Sequence, residues 1–202
     1  MNRRIAMAWT LAVASLLLPA AVWADEATGW YVGAGAGQSQ AKQYCDPSTG
    51  EVIVSCDDTG TAWRLLLGYQ INHYLGVEGG YLNLGQFNST TMVSGVTATD
   101  QTKIHAGYLE GLAILPIGGR FSLYAKAGTA FWTFQTHDTL GGAGVPDQSQ
   151  NGWSFMGGAG AQFFFTKNLA LRAEYEVMPK LGNSETGELD VQVISASVLW
   201  KF

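Results

Sequence analysis

The sequence predicts an all-β fold, an eight-stranded antiparallel up-and-down β-barrel that crosses the bacterial outer membrane. Three observations carry that expectation. The chain ends D-V-Q-V-I-S-A-S-V-L-W-K-F, in which Phe202, Trp200, Val198, Ala196 and Ile194 share one parity and Lys201, Leu199, Ser197, Ser195 and Val193 the other; a period of two over this length is a strand. Earlier segments alternate in the same way, and the connections between them run long, short, long, short, the rhythm of an outer-membrane barrel. No segment beyond the N-terminus approaches the roughly 18 to 20 continuous apolar residues of a membrane helix, so a membrane role falls to strands.

The N-terminus supports export. Arg3 and Arg4 precede an apolar run from Ile5 to Ala21, and Val22-Trp23-Ala24 stands before Asp25, the order of a secretory signal cut after Ala24. Residues 1–24 are therefore read as a signal peptide and 25–202 as one barrel domain. Removing the signal leaves 178 residues with nine basic and sixteen acidic side chains, net −7. With 26 glycines, 5 prolines and 13% charged residues, the composition suits short strands and tight turns. Cys45 and Cys56 bracket Pro47, Ser48, Thr49 and Gly50. In an exported chain that spacing reads as a disulfide across one loop, whereas a metal site would need more ligands than lie nearby.

The strands follow in order. Trp30 to Ala41 sets Trp30, Val32, Ala34 and Ala36 against Tyr31, Gly33, Gly35 and Gly37, and residues 42–60 form a polar, acidic loop. Thr61 to Gln70 puts Trp63, Leu65, Leu67 and Tyr69 outside and Arg64 inside. After a tight turn at Ile71–Tyr74, the third strand carries Leu75, Val77, Gly79 and Tyr81 outward and Glu78 inward; residues 88–101 are a second polar loop. The fourth, Thr102 to Leu115, opposes Leu109, Gly111, Ala113 and Leu115 to Tyr108, Glu110 and Leu112, and residues 116–120 turn. The fifth, Phe121 to Thr136, opposes Phe121, Leu123 and Phe131 to Tyr124, Lys126 and Trp132, and residues 138–151 are a third loop. The sixth collects Trp153, Phe155, Phe163 and Phe165 on one parity; the seventh sets Leu169, Leu171, Ala173, Tyr175 and Val177 against Arg172, Glu174 and Glu176. A fourth loop, 179–189, leads to the last strand.

The charges select the solvent. Arg64, Glu78, Glu110, Lys126, Arg172, Glu174 and Glu176 all fall on the inner parity, while an outward Lys or Arg at mid-bilayer would cost about 2–4 kcal/mol. Eight strands enclose only enough space for side chains. The expectation is a plugged, polar lumen with ion pairs among Glu78, Lys126 and Arg172. A soluble sandwich would place these charges on a wet face but leaves the aromatic opposite face unexplained, and a lipocalin-like barrel would reverse the polarity. Parity alone does not separate inside from outside. The signal sequence, the aromatic strand ends and Phe202 tip the choice toward lipid, with Val198, Trp200 and Phe202 read as the C-terminal insertion signal met by the barrel-assembly machinery.

At G-Y-Q-I-N-H-Y-L-G-V-E-G-G-Y-L-N-L-G (Gly68 to Gly85), at L-A-L-R-A-E-Y-E (Leu169 to Glu176) and in the terminal strand, the chain resembles the OmpA-like transmembrane domain family. The resemblance implies an eight-stranded barrel with an internal ion-pair gate, in which Glu78 and Arg172 take gate positions. Leu112 stands where the family has a lysine and Gln162 where it has an acid, leaving Lys126 as the substitute. The family's full-length members continue into a periplasmic peptidoglycan-binding domain; this chain ends at Phe202, so wall anchoring is not carried over.

Two non-enzymatic functions follow. One is a structural or surface-interaction barrel, supporting membrane integrity or adhesion, in contact with outer-membrane lipid and lipopolysaccharide and displaying its loops to host or other cell surfaces. The other is a small, low-conductance channel. The loops hold Asp46, Glu51, Asp57, Asp58, Asp138, Asp147, Glu185, Glu188 and Asp190 against Lys42 and Lys180, an acidic rim that argues against nucleic acid. Lipid-modifying catalysis is the weakest reading. A triad needs a nucleophile within reach of its base, and no serine lies two residues from His105 or His137, while His73 sits in a periplasmic turn. No cofactor or metal is expected.

Overall fold

The computed structural model describes residues 28–42, 44–45, 52–93, 96–140, 143–144, 146, 148–183 and 187–202. Residues 1–24, read above as a signal peptide, lie outside the described residues. Ten strands are formed among the described residues: β1 (Gly29–Lys42), β2 (Val52–Asp57), β3 (Thr59–Gln70), β4 (Leu75–Val93), β5 (Val96–Ile117), β6 (Phe121–Leu140), β7 (Ala143–Gly144), β8 (Gln148–Phe164), β9 (Leu169–Asn183) and β10 (Gly187–Lys201). Eight of them close a cylinder in the order β1, β3, β4, β5, β6, β8, β9, β10, every pairing antiparallel. The ring is completed where β1 meets β10, from Tyr31↔Lys201 to Lys42↔Asp190. Closure leaves the terminal aromatic strand without a free edge.

The short connections gather at one end. Asn72 Oδ1 accepts from the backbone N–H of Tyr74 and of Leu75 at 2.8 and 2.9 Å, and Thr166 Oγ1 accepts from the N–H of Leu169 at 2.9 Å. Each is a side chain standing in for a backbone turn partner. Gly118, at φ 71°, supplies the left-handed residue of the third turn.

At the other end the strands run on where the sequence suggested loops. Residues 88–93 and 96–101 are strand, not loop: β4 and β5 stay paired from Asn88↔Gln101 to Val93↔Val96. Within 42–60, β2 pairs with β4 from Val52↔Met92 to Asp57↔Asn88, and β6 and β8 likewise claim both ends of 138–151. The physical reason is that polarity marks the strand's exit from the membrane, not its exit from the sheet. Thr90, Thr91, Val93, Val96, Thr97 and Thr99 are β-branched residues that suit a wet strand.

The outer surface within the membrane is apolar and ends in aromatics. Trp153 and Phe155 are 70% and 82% exposed, and Tyr81, Gly107, Phe131 and Trp153 lie in one cross-strand row. A second aromatic level holds Trp30 against Tyr69 at 5.0 Å and Phe163 against Phe165 at 5.1 Å. From Trp153 to Phe163 along β8 is a rise of about 33 Å, or about 25 Å of membrane at ordinary strand tilt.

Candidate functional site

The seven inward charges form one buried layer, because alternation on β3, β4, β5, β6 and β9 turns every second residue into the lumen. The register places Glu78 directly opposite Glu110, a like-charge pair that is unfavourable by itself. Lys126 resolves it. Its Nζ lies 4.0 Å from Glu78, 3.2 Å from Glu110, 3.0 Å from Glu174 and 2.5 Å from Glu176, so one ammonium serves four carboxylates from three strands. Arg64 reaches Glu174 at 2.7 Å and is also paired with Glu176.

Arg172 is the second anchor. Its Nη1 donates to Glu78 Oε2 at 2.5 Å, and its Nε and Nη2 both donate to Gln162 Oε1, at 3.2 and 3.1 Å. The guanidinium also lies 4.8 Å from the Tyr124 ring centroid and 5.6 Å from that of Tyr31. Leu112 is the direct cross-strand partner of Lys126. The ammonium therefore enters from the strand adjoining the position where the family resemblance implies a lysine, and Gln162 serves Arg172 as a neutral acceptor.

Sequence reasoning missed the tyrosines that complete this layer. Tyr31 donates to Glu78 at 3.1 Å and Tyr124 to Glu174 at 2.8 Å, while Tyr108 faces Arg64 and Lys126, each 5.9 Å from its ring. A signal for them was available: each stands directly opposite a glycine, Tyr31↔Gly68, Tyr108↔Gly80 and Tyr124↔Gly160. A Cβ at Gly68 would land on the Tyr31 ring. The bare positions are seats for the neighbouring aromatics.

The polar interior that the sequence suggested occupies only part of the lumen. Toward the long-strand end the inward residues are Leu82, Leu84, Phe87, Ile104, Trp132, Phe134, Met156, Met178, Leu181, Val191 and Val193, all buried in one cluster. The same strands turn polar on the outside there. On β5 the outward residues change from Leu109 to His105, Lys103 and Gln101; on β6 they change from Phe131 to Thr133, Gln135 and His137. The amphipathic pattern thus inverts where the strands leave the bilayer. Lipid outside favours charge inside; water outside requires an apolar core inside. The reversed polarity expected of a lipocalin-like barrel is what the emergent half adopts.

Tyr44 covers the top of this core. Its ring lies 5.9 Å from that of Phe87, and its hydroxyl reaches Asp100 at 3.4 Å. The adjacent Cys45 is joined to Cys56 on β2, with Cα atoms 5.8 Å apart, so the disulfide ties the chain after β1 to the β2 edge. At the opposite mouth, a cavity of about 20 Å³ lies among Tyr31, Gln162, Arg172, Leu199 and Lys201, space for about one water.

The rim is partly described. Asp57 accepts from the Thr59 hydroxyl at 2.7 Å and from its N–H at 3.1 Å, which holds that carboxyl below its usual range, and Gln40 donates to Asp58 at 3.0 Å. Asp46, Glu51, Asp147 and Glu185 lie outside the described residues, as do the side chains of Asp138 and Glu188. Val198, Trp200 and Phe202 all point outward from the last strand, 52%, 50% and 72% exposed. His105 stacks on Tyr81 at 6.0 Å and His73 lies 6.4 Å from Tyr74. Among the described residues no group of three or more His, Cys, Asp or Glu side chains is placed to hold a metal ion.

Comparison with known proteins follows the same architecture. The family described as OmpA-like transmembrane domain matches residues 25–202. Outer membrane protein A of Yersinia pseudotuberculosis is 29% identical over 181 residues, covering 86% of this chain and 48% of its own. The chain therefore spans about half the length of the curated relatives it matches. Among solved structures, Neisserial surface protein A aligns with a TM-score of 0.60 at 20% identity, over 86% of this chain and 97% of that one. Ail, the attachment invasion locus protein of Yersinia pestis, aligns with a TM-score of 0.56 at 19% identity, over 87% and 99%. At these identities the structural likeness speaks for the barrel itself.

Proposed function

The chain belongs to the OmpA-like transmembrane domain family, and from that premise we propose that this outer-membrane barrel is a closed structural and surface element, supporting membrane integrity or adhesion, and not a transporter or an enzyme. The observation that carries the reading is the double closure of its lumen. A conducted ion would have to pass the Lys126 and Arg172 network and then the buried apolar layer around Phe87, Ile104 and Trp132. Rearranging ion pairs, the basis of the low-conductance channel, opens the first barrier and leaves the second, where hydrophobic residues exclude hydrated ions.

Catalysis fares worse on the same geometry. His105 and His137 are on the outward face of β5 and β6, and His73 is in a turn at the other end, so none aligns with a lumen nucleophile. Surface partners would meet the emergent strands. Ail, one of the fold neighbours, was crystallised with sucrose octasulfate, a heparin analogue; on this chain the Asp57 and Asp58 side of the rim disfavours such a polyanion. Val198, Trp200 and Phe202 supply the outward aromatic end that the assembly machinery would engage.

Planar-bilayer recording of the purified chain tests the proposal. The expected result is no discrete conductance at any voltage in molar salt. Reproducible single-channel steps would overturn it in favour of the channel.

A further inference from the structure

The small cavity at the short-turn mouth lies below the ion-pair layer, where Tyr31, Gln70, Ile114, Gln162, Arg172 and Lys201 bring six strands together. Two of its side-chain amides are oriented by cations. Gln162 Oε1 accepts from Arg172 Nε and Nη2 at 3.2 and 3.1 Å, and Gln70 Oε1 accepts from Lys201 Nζ at 3.2 Å. A guanidinium and an ammonium have only donors to offer, so each amide presents its oxygen to them and turns its NH2 group away. Both glutamines are half-buried, and neither NH2 group has an acceptor among the described residues. Arg172, at 2% exposure, uses three of its five N–H groups, two on Gln162 and one on Glu78, which leaves one on Nη1 and one on Nη2.

Charge and hydrogen count decide what fits this lining. No Asp or Glu lines the cavity; Glu78, just above it, already accepts from Arg172 and Tyr31 on Oε2. The turns at this end carry Arg120 and Lys167 and, among the described residues, no carboxylate side chain. A water held here must donate two hydrogens of its own. The side-chain oxygens left to receive them are Asn168 Oδ1, on an exposed turn residue, and the Tyr31 hydroxyl. An anion donates none and accepts from all the donors, in charge-assisted bonds about twice as strong as neutral ones. The space, about 20 Å³, admits one water-sized group, which suits a halide or a carboxylate end and is too small for a tetrahedral oxyanion.

We propose that this cavity binds one compact monoanion, a halide or the carboxylate end of a small periplasmic molecule, through Gln70, Gln162 and Arg172. Lys201 adds positive charge at the mouth while keeping its contact with Gln70. Bound there, the anion gives Arg172 a second negative partner besides Glu78. The site does not depend on whether the lumen conducts, so its test is separate from that of the closed barrel.

The test uses the full chain folded in a zwitterionic detergent, with the folded fraction read from heat-shifted gel mobility. Chloride binding is read from broadening of the chloride magnetic-resonance line. Saturable broadening that formate removes and sulfate leaves in place is the expected result. Gln70→Leu, which keeps every Arg172 contact, should weaken chloride binding about tenfold, the effect of losing about one hydrogen bond to a charged group, and Gln162→Leu at least as much. Arg120→Gln with Lys167→Gln, outside the cavity, should leave it unchanged. Should Gln162→Leu fail to fold, Gln70→Leu alone carries the expectation. Displacement by formate extends the site to carboxylates and lack of it confines the site to halides; both outcomes support an anion. Absence of saturable broadening makes the cavity a water site and overturns the proposal. So does equal binding by parent and Gln70→Leu, or displacement by sulfate as efficient as by formate, which would mark ions gathered at a positive surface.

Discussion

Arg172 and Glu78 stand 94 residues apart in the chain and meet at 2.5 Å inside the barrel. Neither has water to fall back on, since both side chains are nearly fully buried. Removing one partner from such a pair costs about 3–5 kcal/mol, because the other remains buried and uncompensated. Arg172→Met and Glu78→Gln should each lower the unfolding free energy obtained from urea titration by that order, and the double variant should be more stable than the sum of the two losses implies.

Lys126 has the larger role, because it is the cation shared by all four buried carboxylates. Lys126→Met leaves Glu78 facing Glu110 with nothing between them. It should be more damaging than Arg64→Met, with a smaller fraction of chains reaching the heat-shifted, folded band after dilution from urea into detergent micelles.

The glycine opposite Tyr31 is a matter of space. Gly68→Ala should cost about 1–3 kcal/mol through overpacking against that ring. In a Tyr31→Ala background, where the ring is gone, the same change should cost less than about 0.5 kcal/mol. Paired urea titrations of the four proteins give the comparison.

The disulfide fixes the Tyr44 cap and lies outside the ring of strands. Reduction of Cys45–Cys56 should leave the heat-shifted mobility of the barrel intact. Trypsin cleavage after Lys42, at the end of β1, should become several-fold faster, as read by mass spectrometry of the fragments.

The sequence was most informative where each strand meets lipid. Leu171 against Arg172, or Leu65 against Arg64, is an alternation with a single physical reading once export is recognised, and it located the closed ring and the inward charges together. It was least informative above the membrane. There Thr97, Thr99 and Gln101 look like loop residues, because a wet strand and a loop share composition, and only the pairing partners 88–93 distinguish them. The apolar core was hidden for a related reason: Ile104 and Trp132 keep the inward parity of Glu110 and Lys126, and nothing within one strand announces that the outside solvent has changed. The tyrosine seats were written as Gly68, Gly80 and Gly160, but reading them needed the register.

The inversion of polarity along the strands is the claim on which the rest depends, and Trp132 and Trp153 report on its two sides. Trp153 is outward, at the upper aromatic row, and Trp132 is buried at 2% exposure in the emergent core. Two variants would each keep one of these as the sole tryptophan, the others replaced by phenylalanine, in vesicles containing lipids brominated along the acyl chain. Emission from Trp153 should be strongly quenched by the brominated lipid. Emission from Trp132 should be insensitive both to that lipid and to acrylamide in the water. Quenching of Trp132 by acrylamide to the extent seen for free indole would mean a water-filled lumen at that level, and quenching by brominated lipid would place it on the outer wall; either result contradicts the account.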